Sequence, residues 1–123
     1  TARLAYEQAG VGPEDVGVVE LHDAFTIAEL LYYEALGLAK PGEGAALLLS
    51  GATAIEGHVA VNPSGGLLSK GHPLGATGLA QCNELVDQLR GRAGGRQVEG
   101  VQLAIGHNIG LGGSCVVTLY ERV

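Results

Sequence analysis

Three histidines stand where the chain turns between regular elements: His22 in HDAF, His72 in GHP and His107 in HNIG. Imidazole titrates near neutrality, so each could accept a proton and return it. His22 and His107 each close a strand-like run, and His72 lies in a loop between a strand and a helix. In open α/β sheets, ligands collect where loops leave the strand ends. If these strands share an edge, three imidazoles face one cavity. The surroundings of His72 are the most restrictive. Gly71 permits close approach of another group, and Pro73 turns His72 away from helical geometry. The helix opening at Leu74-Gly75-Ala76-Thr77 brings unpaired N–H groups, which favour an anion such as a thiolate. A neutral imidazole there can take the proton of a thiol and later donate a hydrogen bond. Simpler readings stay open: His72 capping a turn, and His22 or His107 satisfied by backbone at a strand end. Asn108 could hold its loop through the amide. His58 precedes a strand with no motif around it and reads as a surface residue.

The tract Gly110-Leu111-Gly112-Gly113 has no following helix and no Lys-Ser/Thr pair, so it is not a phosphate loop. Two readings remain: a turn whose amides point at a carbonyl oxygen, as in an oxyanion hole, or a tight strand connection.

Positioning these loops requires a sheet. Residues 2–9 read as a short helix stopped by Gly10, followed by a turn at Gly12-Pro13-Glu14-Asp15. VGVVELH, 16–22, suits a buried strand. Thr26 with Glu29 makes a capping-box pattern before a helix over about 26–37. Further elements are a short helix at 44–49, a strand at 58–62, a helix over about 76–89, and strands at 101–106 and 115–120. The last two strands pair as a hairpin through the glycine tract. On the 76–89 helix, Leu79, Cys82, Leu85, Val86 and Leu89 share a face, which makes Cys82 a core residue. The fold class is α/β, a mixed β-sheet covered by helices, in one domain over 1–123.

Composition narrows the function. Hydrophobic residues make up 46% and charged residues 16%, which excludes disorder. A net charge of −6 offers nucleic acid no footprint. No apolar run approaches the ~20 residues of a membrane span, and no signal peptide is recognisable at the N-terminus. Cys82 and Cys115 lack metal-ligand spacing and read as reduced thiols, so no metal and a cytoplasmic setting are expected. Glycine, 21 of 123 residues, concentrates around 65–78 and 106–113, where backbone adopts special conformations or is approached closely. Thr1 opens directly on an apparent helix, which suggests a piece of a longer protein.

The block NPSGGLLSKGHPLGATG, Asn62 to Gly78, resembles the thiolase superfamily, and HDAF upstream and HNIGLGG downstream keep the matching spacing. The resemblance is strongest to the sterol-carrier-protein type, with an HDCF-like motif in place of NEAF and an HN loop in place of cysteine-x-glycine. It covers the whole chain, as the C-terminal half of a much longer enzyme. It implies that His72 activates a nucleophilic cysteine, and that His72 and His22 polarise the thioester oxygen of an acyl-CoA. Phe25 would line the pocket, and the Ile109 N–H beside Gly110 would form a second oxyanion position. Asn62, Ser64, Gly65 and Gly66 would shape the loop near the thioester. The substrate would be a CoA thioester, with no cofactor. Expected partners are the N-terminal half of the same enzyme, a second copy in a homodimer or larger assembly, and a small acyl-CoA-binding protein.

Two departures bear on the chemistry. The acid/base cysteine of ordinary thiolases falls at His107, and the cysteine of HDCF falls at Ala24. His107 could take over the duty. ELHDAFT and GHPLGATG also echo decarboxylating ketosynthases, whose set is two histidines and one cysteine. A thiolase-like carbon–carbon lyase and a non-catalytic acyl-CoA-binding scaffold are further alternatives. The CxS motif that carries the nucleophile is absent, so this chain alone is expected to be catalytically silent.

Overall fold

The computed structural model describes Thr1–Val123 and forms a four-stranded mixed sheet between two helical layers. Its strands are β1 (Val18–Glu20), β2 (Ala60–Val61), β3 (Leu103–Ile109) and β4 (Cys115–Glu121), in the order β2-β1-β3-β4. β1 runs parallel to both β2 and β3, while β3 and β4 pair antiparallel, Leu103 opposite Glu121 through Ile109 opposite Cys115. The helices are α1 (Ala2–Ala9), α2 (Thr26–Ala35), α3 (Gly44–Leu49), α4 (Gly66–Lys70) and α5 (Thr77–Leu89).

The strand sequence explains the layering. Strands covered on both faces read as continuous apolar runs rather than alternating ones. Val18 and Ala104 turn into a core with Leu85 and Leu89 of α5. Val19, Leu103 and Ile105 turn the other way, onto Tyr6 of α1 and Tyr33 of α2. The phenol of Tyr6 donates to the Leu36 carbonyl at 2.9 Å in this second core. Tyr6→Phe leaves that buried carbonyl unpaired and is expected to cost about 1 kcal/mol, read by denaturant unfolding.

Three expectations are revised. The Thr26/Glu29 capping box does not form: Phe25 is the N-cap without a side-chain bond, and Glu29 instead accepts from the Tyr33 phenol one turn on. Leu79 of α5 is 74% exposed, because the inward face of that helix is carried by Leu85 and Leu89 together with Gln81, Glu84 and Gln88. These buried polar groups are paired. Gln88 donates to Glu84 and to the Arg96 carbonyl and accepts from the Val98 N–H. α4 was not anticipated, since five residues opening on glycine show no periodicity to read. No helix is long and apolar enough to cross a membrane.

Candidate active site

β1, β2 and β3 are parallel, so their C-terminal ends lie along one edge, and the loops carrying His22, Asn62 and Gly110 leave from that edge. The imidazoles of His22 and His72 meet edge to face, with centroids 4.7 Å apart and planes at 87°. They border a cleft of about 480 Å³ whose walls also include Thr77, Asn108, Ile109 and Gly110.

His72 is exposed, and one of its ring nitrogens is anchored. Its Nδ1 lies 2.7 Å from Thr77 Oγ1, while that hydroxyl donates to the Pro73 carbonyl at 3.3 Å. With Nδ1 engaged by Thr77, Nε2 is the ring nitrogen left for a ligand in the cleft, the atom a general base would use. His22 is buried, and its Nδ1 has no hydrogen-bond partner. Burial first, and the neighbouring His72 second, lower its pKa, while Asp23 raises it.

His107 is placed differently from the strand end expected of it. It lies within β3, 3% exposed, on the face packed against α2, with its ring 4.5 Å from that of Tyr32. Its Nδ1 sits 3.5 Å from the His22 N–H, and it does not line the cleft. Burial, then His22, push its pKa down to about 4. Because the folded value lies below the unfolded one near 6.5, unfolding takes up a proton between these two pH values. The stability tied to His107 is complete above about pH 6.5 and is lost as the pH falls through 4. A ring titration followed by nuclear magnetic resonance is expected to leave His107 neutral at pH 6. A midpoint at 6 or above would remove the argument from burial.

Ladder parity separates Ile109 from Gly110, the two residues expected around the oxyanion position. Gly110 N–H donates to the Ser114 carbonyl at 2.8 Å, so it is already committed to the β4 side. In an antiparallel pair, hydrogen-bonded and non-bonded positions alternate. Ile109, one residue earlier, thus turns its N–H away from β4, toward the side where β1 has already ended at Glu20. Gly110 lines the cleft with its own N–H already used. Asn108 is fixed by Gln81, which accepts from its amide at 3.0 Å and donates to the His107 carbonyl at 3.0 Å.

The remaining expected residues stand behind the cleft rather than in it. Phe25 is 71% exposed and caps α2 outside the lining. Asn62, at φ 49°, accepts from the Leu21 N–H at 2.8 Å. Ser64 donates through its N–H and hydroxyl to Glu20, at 3.1 and 2.7 Å. Gly65 and Gly66 both take positive φ and start α4. Sequence reasoning missed Glu20, Asp23, Thr77 and Gln81. Only Asp23 carried a visible signal, an acid inside the HDAF motif. Neither cysteine borders the cleft.

A mixed α/β sheet with an imidazole at the end of a parallel strand, His22, paired with one from the loop between two helices, His72, defines the class of protein, and sequence similarity gives it a family. Residues 1–121 match the thiolase C-terminal domain-like family, and the chain belongs to it. It is 62% identical over 120 residues to sterol carrier protein 2 of Rattus norvegicus, covering 98% of this chain and 22% of that protein. It is 50% identical over 122 residues to an acetyl-CoA acetyltransferase of Methanothermobacter thermautotrophicus, covering 98% of this chain and 32% of that one. Among solved structures it superposes on the Ltp2-ChsH2(DUF35) aldolase with a TM-score of 0.87 and 26% identity, covering 98% of this chain and 31% of that one. The chain thus spans between 22% and 32% of the length of these proteins.

Proposed function

We propose that this chain forms the C-terminal catalytic part of a thiolase-like acyl-CoA acyltransferase, completed by an N-terminal half that supplies the nucleophilic cysteine. The observation that carries the reading is the His22–His72 pair at the cleft, with Nδ1 of His72 anchored on Thr77 and Nε2 left for the reacting thiol. His72 takes the proton of that cysteine, the thiolate attacks the thioester carbonyl, and collapse of the tetrahedral adduct breaks the C–S bond to CoA, which leaves as a thiol with the proton His72 returns. The negative charge that forms on the carbonyl oxygen is met by N–H donors: the backbone of Ile109 and the imidazoles lining the cleft. His107, buried and with its pKa pushed down, accepts from the His22 backbone N–H and stands outside the cleft, so it supports His22 rather than carrying protons. Family membership and the similarity to an acetyl-CoA acetyltransferase support the same reading.

The test is acylation of the completed protein, this chain together with a CxS-bearing N-terminal half. Incubation with acetyl-CoA is expected to give one acetyl group on that cysteine by mass spectrometry, and none on this chain alone. Absence of an acyl-enzyme in the completed protein at saturating acetyl-CoA removes the reading.

A thiolase-like carbon–carbon lyase is the second reading. It is favoured by the likeness to an aldolase and by Ala24 standing where a second acid/base thiol is expected. Lysis of a β-hydroxyacyl-CoA needs no cysteine acyl-enzyme. Cleavage that persists after the CxS cysteine is replaced by alanine distinguishes it from acyl transfer.

A further inference from the structure

Two carboxylates bracket His22 in sequence, and neither lines the cleft. Glu20, fully buried at the end of β1, accepts from Ser64 and lies 3.7 Å from the Lys70 ammonium, which itself donates to the Ser64 hydroxyl. Asp23, 2% exposed, accepts from the backbone N–H groups of Leu67 and Leu68 at 2.7 and 3.5 Å. α4 is therefore tied down at its first turn by Asp23 and at its last residue by the Glu20–Ser64–Lys70 cluster. A helix of five residues has no stability of its own, so these outside contacts decide where it sits. Lys70 ends α4, Gly71 turns the chain at φ 90°, and His72 follows. The segment that carries His22 thus also holds the helix that delivers His72.

Resting on the acyl-transfer reading above, we propose that Glu20, Ser64 and Lys70, acting with Asp23, form a clamp that sets the separation of His22 and His72, with Lys70 as a positioning residue for the general base. The charge arrangement fits that task. From α5, Glu84 is the other carboxylate near Glu20, and it is already paired with Arg96 at 2.9 Å. Lys70 is the cation in direct contact with Glu20, at 3.7 Å. It sits at the surface, with a side chain 34% exposed, so replacing it does not open the core.

Lys70→Met keeps the aliphatic stem and deletes the ammonium, whereas Lys70→Arg keeps the charge. In the completed protein carrying isotope-labelled histidine, the nuclear Overhauser contact between the His22 and His72 rings is expected to disappear in Lys70→Met and survive in Lys70→Arg. Ser64→Ala cuts the same link from the other side and is expected to behave like Lys70→Met. In acyl transfer, Lys70→Met is expected to lower kcat about 10- to 100-fold, the scale of a small misplacement of a catalytic group, with KM changed less than about twofold. Lys70→Arg is expected to recover most of that loss. A ring contact retained in both Lys70→Met and Ser64→Ala overturns the clamp, as does a loss equally deep in Lys70→Arg. If the unaltered completed protein transfers no acyl group, the functional reading fails, while the ring contact still decides the clamp.

Discussion

His72→Ala is expected to lower acyl transfer by the completed enzyme about 10²- to 10⁴-fold, the usual contribution of a positioned general base. The loss belongs in kcat/KM for acylation, because the imidazole acts while the thiolate forms and attacks. Folding is expected to be nearly unaffected. His72 is exposed, and its one side-chain bond goes to Thr77, whose hydroxyl keeps its contact with Pro73. Stability and activity therefore separate in this variant. Thermal unfolding within about 2 °C of the parent, beside a deep loss of acylation, is the expected pair of results. Acylation within about threefold of the parent would remove His72 from the chemistry, whatever the family pattern suggests.

Part of this site was legible in the sequence, and for a physical reason. Gly71-His72-Pro73 forbids helix on one side and permits close approach on the other, so a functional loop could be inferred from backbone constraints alone. The strand runs were legible for a similar reason. Val18, Val19, Ala104 and Ile105 are apolar on both faces because the sheet is covered on both sides. His107 was misplaced because β3 runs three residues past the expected end at 106, to Ile109, and takes the ring into the layer under α2. Strand length is set by pairing with β4, which the local sequence does not announce. The polar inward face of α5 was hidden for a related reason. Gln81 and Gln88 look like solvent-facing residues until the carbonyls of His107 and Arg96 are placed opposite them. Side chains whose partners are distant backbone groups leave no periodic trace.

Glycine content gives the sharpest case of a local rule whose magnitude depends on tertiary structure. Gly66 and Gly91 both take positive φ, at 63° and 67°. A Cβ at Gly91 meets nothing within 4 Å, so Gly91→Ala is expected to cost only the left-handed backbone penalty, about 1–2 kcal/mol. A Cβ at Gly66 would stand 2.7 Å from Asp23 Cγ and closer still to its Oδ2. The carboxylate would have to leave, together with its bonds to Leu67 and Leu68 at the start of α4. Hydrogen bonds to a charged group contribute about 1.5–3 kcal/mol, so Gly66→Ala is expected to cost about 3–5 kcal/mol in all. For a chain of this size, that is a fall of roughly 10–20 °C in the unfolding midpoint. The excess over Gly91→Ala isolates the Asp23 contact, and a double-mutant cycle checks it. In an Asp23→Ala background, where the carboxylate no longer blocks the space, Gly66→Ala is expected to cost no more than Gly91→Ala. Equal costs for the two glycines in the parent protein would mean that Asp23 yields freely, and that α4 is not held at its first turn by that side chain.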